Sequence, residues 1–428
     1  MDTQTKFATD QRTDTSPPAW DADISRVPAW AYTREDIYRR ELDRLFYRNH
    51  WCYVGLEAEI PKPGDFKRTK IGERSVIMTR DFDGGINVIE NACAHRGVAF
   101  CRQNFGNRKD FVCPYHQWNY DLKGKLLGLP FRRGVKATRD GKACIDGGMP
   151  ADFKPEEHGL TQLKVARRGG VVFASFDHAV EPFEQYLGPK VVPWFDRLFN
   201  GRELAILGYS RQRIPANWKL MQENIKDPYH PGLLHTWFVT FGLWRADQSS
   251  RMVMDEHGRH ACMISRRNEG GAGAVTQGVT SYRANLKLND ERLLDVVPEP
   301  WWNGPTVVMM TLFPSLIVQQ QVNSVSTRHI QPAGPDAFDF VWTHFGFADD
   351  TPEMTRRRLR QANLFGPAGF VSADDGEVIE CAHQTFSAVD DYRTVSQLDG
   401  RDVRDTDHMV TETLIRGMFA YWRRVMEV

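Results

Sequence analysis

The stretch NACAHRGVAFCRQNFGNRKDFVCPYHQWNY, residues 91–120, carries two short pairs of metal-ligand residues: Cys93-Ala94-His95 and, after seventeen residues, Cys113-Pro114-Tyr115-His116. Thiolates hold ferric iron strongly and neutral imidazoles suit the iron that is reduced, so two Cys on one iron and two His on the other make a [2Fe-2S] cluster of raised potential. A structural zinc site accepts the same four atoms. Such zinc sites usually place Cys with Cys and His with His, whereas each pair here mixes the types. Two hairpin tips that each give one ligand to each iron need that mixture, so the cluster is the expected occupant.

Around these pairs, from Trp51 to about Phe176, short runs such as Ser75-Val76-Ile77-Met78 and Gly170-Val171-Val172-Phe173 alternate with turn signals at Pro63-Gly64, Asp83-Gly84-Gly85 and Lys123-Gly124. That is the pattern of a small all-β domain. Upstream, Thr33-x-x-Asp36 reads as a capping box with Asp in place of Glu, and Tyr38, Leu42, Leu45 and Phe46 follow at helical spacing. A first helix is predicted over about 34–47. Before about Pro28 the chain is polar, with Ser16-Pro17-Pro18, and reads as a surface arm.

Beyond a helical patch near 183–199, a second β-rich region runs to about Phe347, with strands expected over 306–313, 316–327 and 338–347. The turn-rich Pro332-Ala333-Gly334-Pro335-Asp336 should join the last two as antiparallel neighbours. Helices close the chain: Thr351-Pro352 looks like an N-cap and first position before Met354 to Phe365, and Val410, Leu414, Met418, Trp422 and Val425 mark an amphipathic C-terminal helix. The second domain is therefore read as α+β.

The 428 residues suffice for two or three domains, and 55 basic against 55 acidic residues leave no electrostatic footprint for nucleic acid or an anionic membrane. The start lacks an apolar signal core, and no run of about 18 apolar residues occurs, so a cytoplasmic protein is expected. Seven cysteines then favour metal ligation over disulfides. Cys52, Cys101, Cys144, Cys262 and Cys381 have no matched histidines and read as ordinary free thiols.

A second constellation lies in 217–235, NWKLMQENIKDPYHPGLLH. Asn217 can cap a helix that Pro228 and Pro231 disturb. On an unbroken helix, residues five apart diverge by about 140°, so His230 and His235 converge only if the prolines and Gly232 distort the backbone. Two imidazoles and one carboxylate on one face of Fe(II) leave positions open for O2. The carboxylate should come from Asp374 or Asp375, just after the Gly366-Pro367-Ala368-Gly369 break, and composition does not choose between them.

Taken together, the CxH and CxxH pairs and the later ENxxDxYHxxxLH resemble the large (alpha) subunits of Rieske-type ring-hydroxylating oxygenases, over nearly the whole chain from about Pro28. The resemblance implies an all-β Rieske [2Fe-2S] domain and a catalytic domain with an antiparallel sheet flanked by helices, of helix-grip type. The division expected is an arm at 1–33, the Rieske domain with its preceding helix at 34–176, and the catalytic domain at 177–428. It implies that Cys93, His95, Cys113 and His116 bind the cluster. His230, His235 and Asp375 would bind a mononuclear Fe(II), with Asp374 as the fallback. Asp227 would bridge His116 of one subunit to His230 of its neighbour. Electrons from NADH would arrive through a separate reductase and ferredoxin, since the chain shows no convincing nucleotide fingerprint. A small beta subunit, in an alpha3beta3 or alpha3 assembly, is the implied partner.

Within the family, TRHIQP, 217–247 and QANLFGPAGFVSADDGEVIE are most similar to the branch acting on benzoate-type acids. This implies hydroxylation of salicylate to gentisate, with cis-dihydroxylation of anthranilate or terephthalate as the alternative. An electron carrier without turnover and a zinc-stabilised binding protein are the readings from other classes. A carboxylate substrate needs a polar anchor among apolar walls. Arg328 and the Gln319-Gln320-Gln321 run are candidates on one predicted strand, with Gln319 and Gln321 on one side and Gln321 facing the pocket. Arg416 is a weaker candidate.

Overall fold

A computed structural model describes residues 19–245, 247–267 and 285–428. Residues 1–18 of the expected arm, and 268–284 within the second β-rich region, lie outside the described residues.

The cluster pairs stand on small antiparallel sheets. One has the order Ile86–Glu90, Arg74–Arg80, Asp65–Ile71, Phe105–Asn107, and another Phe111–Val112, Asn119–Tyr120, Leu126–Gly128. A third joins Cys52–Leu56, Val171–Ser175 and Lys164–Arg168. The turn signals act as expected where chirality demands it: Gly64 and Gly124 have φ of 88° and 85°, which a side chain would oppose. Phe66, Ile77, Ile89, Phe111, Tyr120 and Leu126 form the apolar filling beneath Cys93 and Cys113.

The downstream sheet has seven antiparallel strands, in the order Leu204–Ile214, Phe338–Phe347, Ser324–Pro332, Leu316–Gln321, Val307–Leu312, Ala261–Ser265, Ser250–Met254. Helices Trp218–Lys226, Ser372–Ala388 and Thr413–Met426 flank it. Buried Glu41 ties this assembly to the N-terminal helical segment. It accepts from the indoles of Trp218 (2.9 Å) and Trp422 (2.7 Å) and pairs with Lys219 at 2.6 Å. Removing one partner of such a pair strands a buried charge and costs about 3–5 kcal/mol.

Four local expectations are corrected. Thr33 caps nothing: its hydroxyl donates to the Ala29 carbonyl, Asp36 takes the Arg34 guanidinium, and the helical segment runs as Glu35–Glu41 followed by a π turn, Leu42–Phe46. The run 316–327 is not one strand but parts of two, turning at Val322-Asn323. Gln321 and Arg328 therefore sit on neighbouring strands. Val410 lies outside the C-terminal helix, which begins at Thr413. Arg416 is no pocket residue, because its buried guanidinium donates to the carbonyls of Ser396, Leu398 and Asp402.

All seven cysteines are unpaired, and among the described residues no helix is long and apolar enough to cross a membrane.

Candidate metal centres and substrate pocket

The two cluster loops share one backbone pattern. Cys93 N–H donates to Val98 O and Cys93 O accepts from Gly97 N–H; Cys113 N–H donates to Trp118 O and Cys113 O accepts from Gln117 N–H. Each loop thus closes on the residues four and five places beyond its cysteine. Each also needs a left-handed residue at the fourth place, Gly97 at φ 69° and Gln117 at φ 55°. The two tips bring the His95 and His116 rings to 4.6 Å, with His95 stacked on Trp118 at 4.9 Å.

The donor set fits a two-iron cluster. Burial pushes the Cys113 thiol above its usual range, and the neighbouring Cys93 adds to this. His95 Nδ1 is buried without any hydrogen-bond partner, a costly state for a polar atom unless it has a ligand. A single tetrahedral zinc would hold its ligand atoms about 3.3–3.8 Å apart. Among the described residues only His230, His235 and Asp375 form a set of three or more such atoms within 4.8 Å of one another. The Cys/His quartet is wider than one ion.

The second centre begins at the helix Trp218–Lys226. Asn217 caps it, its side chain accepting from Lys219 N–H at 3.1 Å. Asp227 ends it, and then starts the next turn: its Oδ1 accepts from the N–H groups of Tyr229 (3.0 Å) and His230 (3.1 Å). The 3-10 turn His230–Gly232 follows, and His235 immediately precedes the short helix Thr236–Thr240. Gly232 is needed for packing as well as for distortion, since a β-carbon there would lie 2.2 Å from the Trp244 ring. Trp244 in turn donates to the Pro228 carbonyl at 3.2 Å and clamps the turn.

This distortion brings the two imidazoles together, and the first turn of Ser372–Ala388 supplies the acid. Asp375 Oδ1 lies 3.5 Å from His230 Nε2 and 3.1 Å from His235 Nε2. His230 Nδ1 meets the Asp227 carbonyl at 2.9 Å, and His235 Nδ1 meets Asp374 Oδ2 at 3.2 Å, so both Nε2 atoms are aimed at one place. Asp375 is buried and Asp374 is half-exposed. His235 Nε2 is buried without a hydrogen bond. Burial alone would lower the His230 pKa, but Asp227 and Asp375 outweigh it and raise it to about 10. Burial opposes ionisation of Asp375 too, and the two imidazoles still hold it well below the carboxylate range. The site calls for a positive charge, and the chemistry of these donors suits a divalent iron.

A cavity opens on this trio, walled by apolar side chains such as Phe238, Leu243, Met252, Met263 and Met309, with Gln321 and Arg328 on its lining. Arg328 is 2% exposed, with its guanidinium 3.9 Å over the Trp342 ring. Its Nη2 donates to Gln319 Oε1, while its Nε has no partner. Burial pushes its pKa down to about 9, and among the described residues no acid lies within ion-pair distance. Gln320 points the other way, to Thr306 O and Arg197. Sequence reasoning missed Asn224, whose amide donates to Asp375 Oδ1 at 3.1 Å, and Trp244. Asn224 stood in the same motif as His230; nothing in the sequence marked Trp244.

Residues 50–139 match the family described as "Rieske [2Fe-2S] domain", and residues 201–428 match "Ring hydroxylating alpha subunit (catalytic domain)". The chain belongs to this ring-hydroxylating alpha-subunit family. It is a Rieske-type non-haem iron oxygenase whose cofactors are a [2Fe-2S] cluster and a mononuclear iron. It is 71% identical to the large oxygenase component of salicylate 5-hydroxylase from Ralstonia sp, over 96% of each chain. The anthranilate 1,2-dioxygenase large subunit of Burkholderia cepacia is 40% identical over 94% of each chain. Naphthalene 1,2-dioxygenase from Rhodococcus sp. shares the fold, with a TM-score of 0.77 over 94% of each chain at 24% identity.

Proposed function

We propose that this chain is the oxygenase component that hydroxylates salicylate at C5 to gentisate, and that Arg328 anchors the substrate carboxylate. The observation that carries the reading is a buried guanidinium without an acid partner, in the same pocket as the His230/His235/Asp375 trio. A buried cation is costly unless paired, and an entering carboxylate supplies the missing charge. The 71% identity to a salicylate-hydroxylating relative supports that substrate.

Cys93, His95, Cys113 and His116 are assigned to the cluster, and His230, His235 and Asp375 to the iron. When bound, the cluster supplies single electrons and the iron supplies the place where O2 is activated. The chain's own residues do the positioning. The Asp227 carbonyl and Asp374 fix the imidazoles, Asn224 fixes Asp375, and the methionine and phenylalanine walls hold the ring and exclude water. Gln321, held through Gln319 to Arg328, faces the substrate's polar edge.

With the cluster and iron bound, electrons would arrive from NADH through a reductase and ferredoxin, and Asp227 would link His116 of one chain to His230 of the next. Asp227 Oδ2 and the His116 ring have no hydrogen-bond partner in this chain among the described residues, which leaves both available to a neighbour. That route requires an oligomer of this chain, and the likeness to the family implies an alpha3 or alpha3beta3 form with a small beta subunit. The seven unpaired thiols fit a cytoplasmic setting.

The test is product analysis with labelled O2, after reconstitution with small subunit, ferredoxin, reductase, NADH and salicylate. Gentisate carrying one labelled oxygen is expected. A dihydrodiol carrying both atoms would replace this reading with dioxygenation, and no product from salicylate would turn it to another acid such as anthranilate or terephthalate.

A further inference from the structure

A second cavity, of about 440 Å³, lies where the cluster-bearing sheet meets the large sheet. It uses the opposite face of the strand pair that carries Arg328. Along Ser324–Pro332 side chains alternate, so Arg328 enters the catalytic pocket while His329 and Gln331 enter this one. On the paired strand Phe338–Phe347, Thr343 joins them while Trp342 turns to Arg328. The two cavities stand back to back across one layer of sheet.

The floor is polar and neutral. His329, Gln331 and Thr343 are more than nine-tenths buried, and Gln331 Nε2 reaches Thr69 Oγ1 at 3.3 Å and His329 Nδ1 at 3.2 Å. Burial, helped by Lys67 and Lys70, pushes the His329 pKa down to about 3, so the ring adds no charge. The rim is cationic. Lys67 is neutralised by Glu59 at 2.7 Å and Arg211 by Asp339 at 2.6 Å. Arg68 reaches only the neutral Asn104 side chain, and Lys70 has no acidic partner among the described residues. Arg68 and Lys70 both line the cavity, and neither has an acidic partner among the described residues. Phe105, from the cluster-bearing sheet, and Tyr209, from the edge of the large sheet, meet at 5.3 Å on its wall and offer partly exposed ring faces.

We propose that this interdomain cavity is a second binding site for a monocyclic aromatic carboxylate, separate from the catalytic pocket. Arg68 and Lys70 take the carboxylate, Phe105 and Tyr209 stack on the ring, and the His329/Gln331 amide-imidazole pair receives a polar substituent. The choice of an aromatic acid rests on the proposed function; the anionic character rests on the unmatched rim.

The test is equilibrium dialysis of radiolabelled benzoate against the full chain with both metal centres in place, without reductant or O2. Wild type should bind two per chain and Arg328→Met one. The double variant Arg68→Glu/Lys70→Glu should keep the catalytic site and weaken the other at least about tenfold. Phe105→Ser, a substitution of a partly exposed side chain, should weaken that same site. A single site in wild type, or a second site indifferent to the charge reversal, would overturn the proposal. A second site that responds to charge reversal, is displaced by inorganic phosphate and ignores Phe105→Ser would overturn its aromatic character. If Arg328→Met leaves both sites intact while the charge reversal still removes one, the catalytic-pocket reading fails and this one stands.

Discussion

Asp375 Oδ1 lies 3.1 Å from His235 Nε2, and that nitrogen nevertheless makes no hydrogen bond. Its sequence neighbour Asp374 holds the other nitrogen of the same ring at 3.2 Å. Two adjacent acids thus do different work on one imidazole. Asp375→Ala should abolish mononuclear iron while leaving two cluster irons and the acid-labile sulfide. Asp374→Ala should retain the site with iron affinity or activity lowered about 10–100-fold, the usual cost of losing an outer partner. Metal and sulfide analysis of the two variants checks this, and equal iron content in both would contradict the division.

Asp227 holds the turn through Oδ1 and orients His230 through its carbonyl, which any residue retains. Asp227→Ala should therefore keep both metal centres and lose turnover. Cluster reduction by ferredoxin should proceed at the wild-type rate, while electrons fail to pass to the iron. Stopped-flow absorbance of the cluster during re-oxidation by O2 and salicylate separates these steps.

Arg328→Met removes an unpaired buried cation and keeps most of its volume over Trp342. KM for salicylate should rise about 10–100-fold, as for a lost charge-assisted contact. Thermal stability should hold or rise, because replacing a buried charge with an apolar side chain relieves a desolvation cost. A loss of stability with unchanged KM would make Arg328 structural.

Four buried histidines set the acid limit of the fold, and burial pushes one of them, His260, well below its usual range. Burial pushes His329 to about 3, His50 to about 4 and His344 to about 4. Each is neutral when folded and gains a proton when unfolded below its usual 6.5, so the unfolded state binds more protons between pH 6.5 and about 4. Stability is greatest above that window and falls as pH drops through it, by up to about 1.4 kcal/mol per pH unit for each histidine. Melting temperatures from pH 7.5 to 5 should fall, and fall less in His50→Gln; a rise toward pH 5 would contradict the burial of these rings.

Much of the site was legible because its chemistry fixes residue types at short range. Each cluster loop needs a cysteine and a histidine within one tip, and His230 and His235 flank a Pro-Gly pair that breaks the helix between them. What stayed hidden depended on distant packing. Asp374 and Asp375 differ in sequence only by order, and a rotation of about 100° along a helix decides which is buried. The turn between Gln321 and Arg328 was invisible because Val322, a strand-favouring residue, takes φ 46° there in place of a Gly or Pro signal. Trp244 closes on Gly232 from beyond the motif, and no local pattern announces such a contact.

The most direct measurement is a single turnover. The chain, chemically reduced and free of excess reductant, is mixed with salicylate and O2 beside its His235→Ala variant. Gentisate is expected from wild type and none from the variant, with the same reduced-cluster EPR signal in both. Gentisate from His235→Ala in wild-type yield would place the chemistry somewhere other than His230, His235 and Asp375.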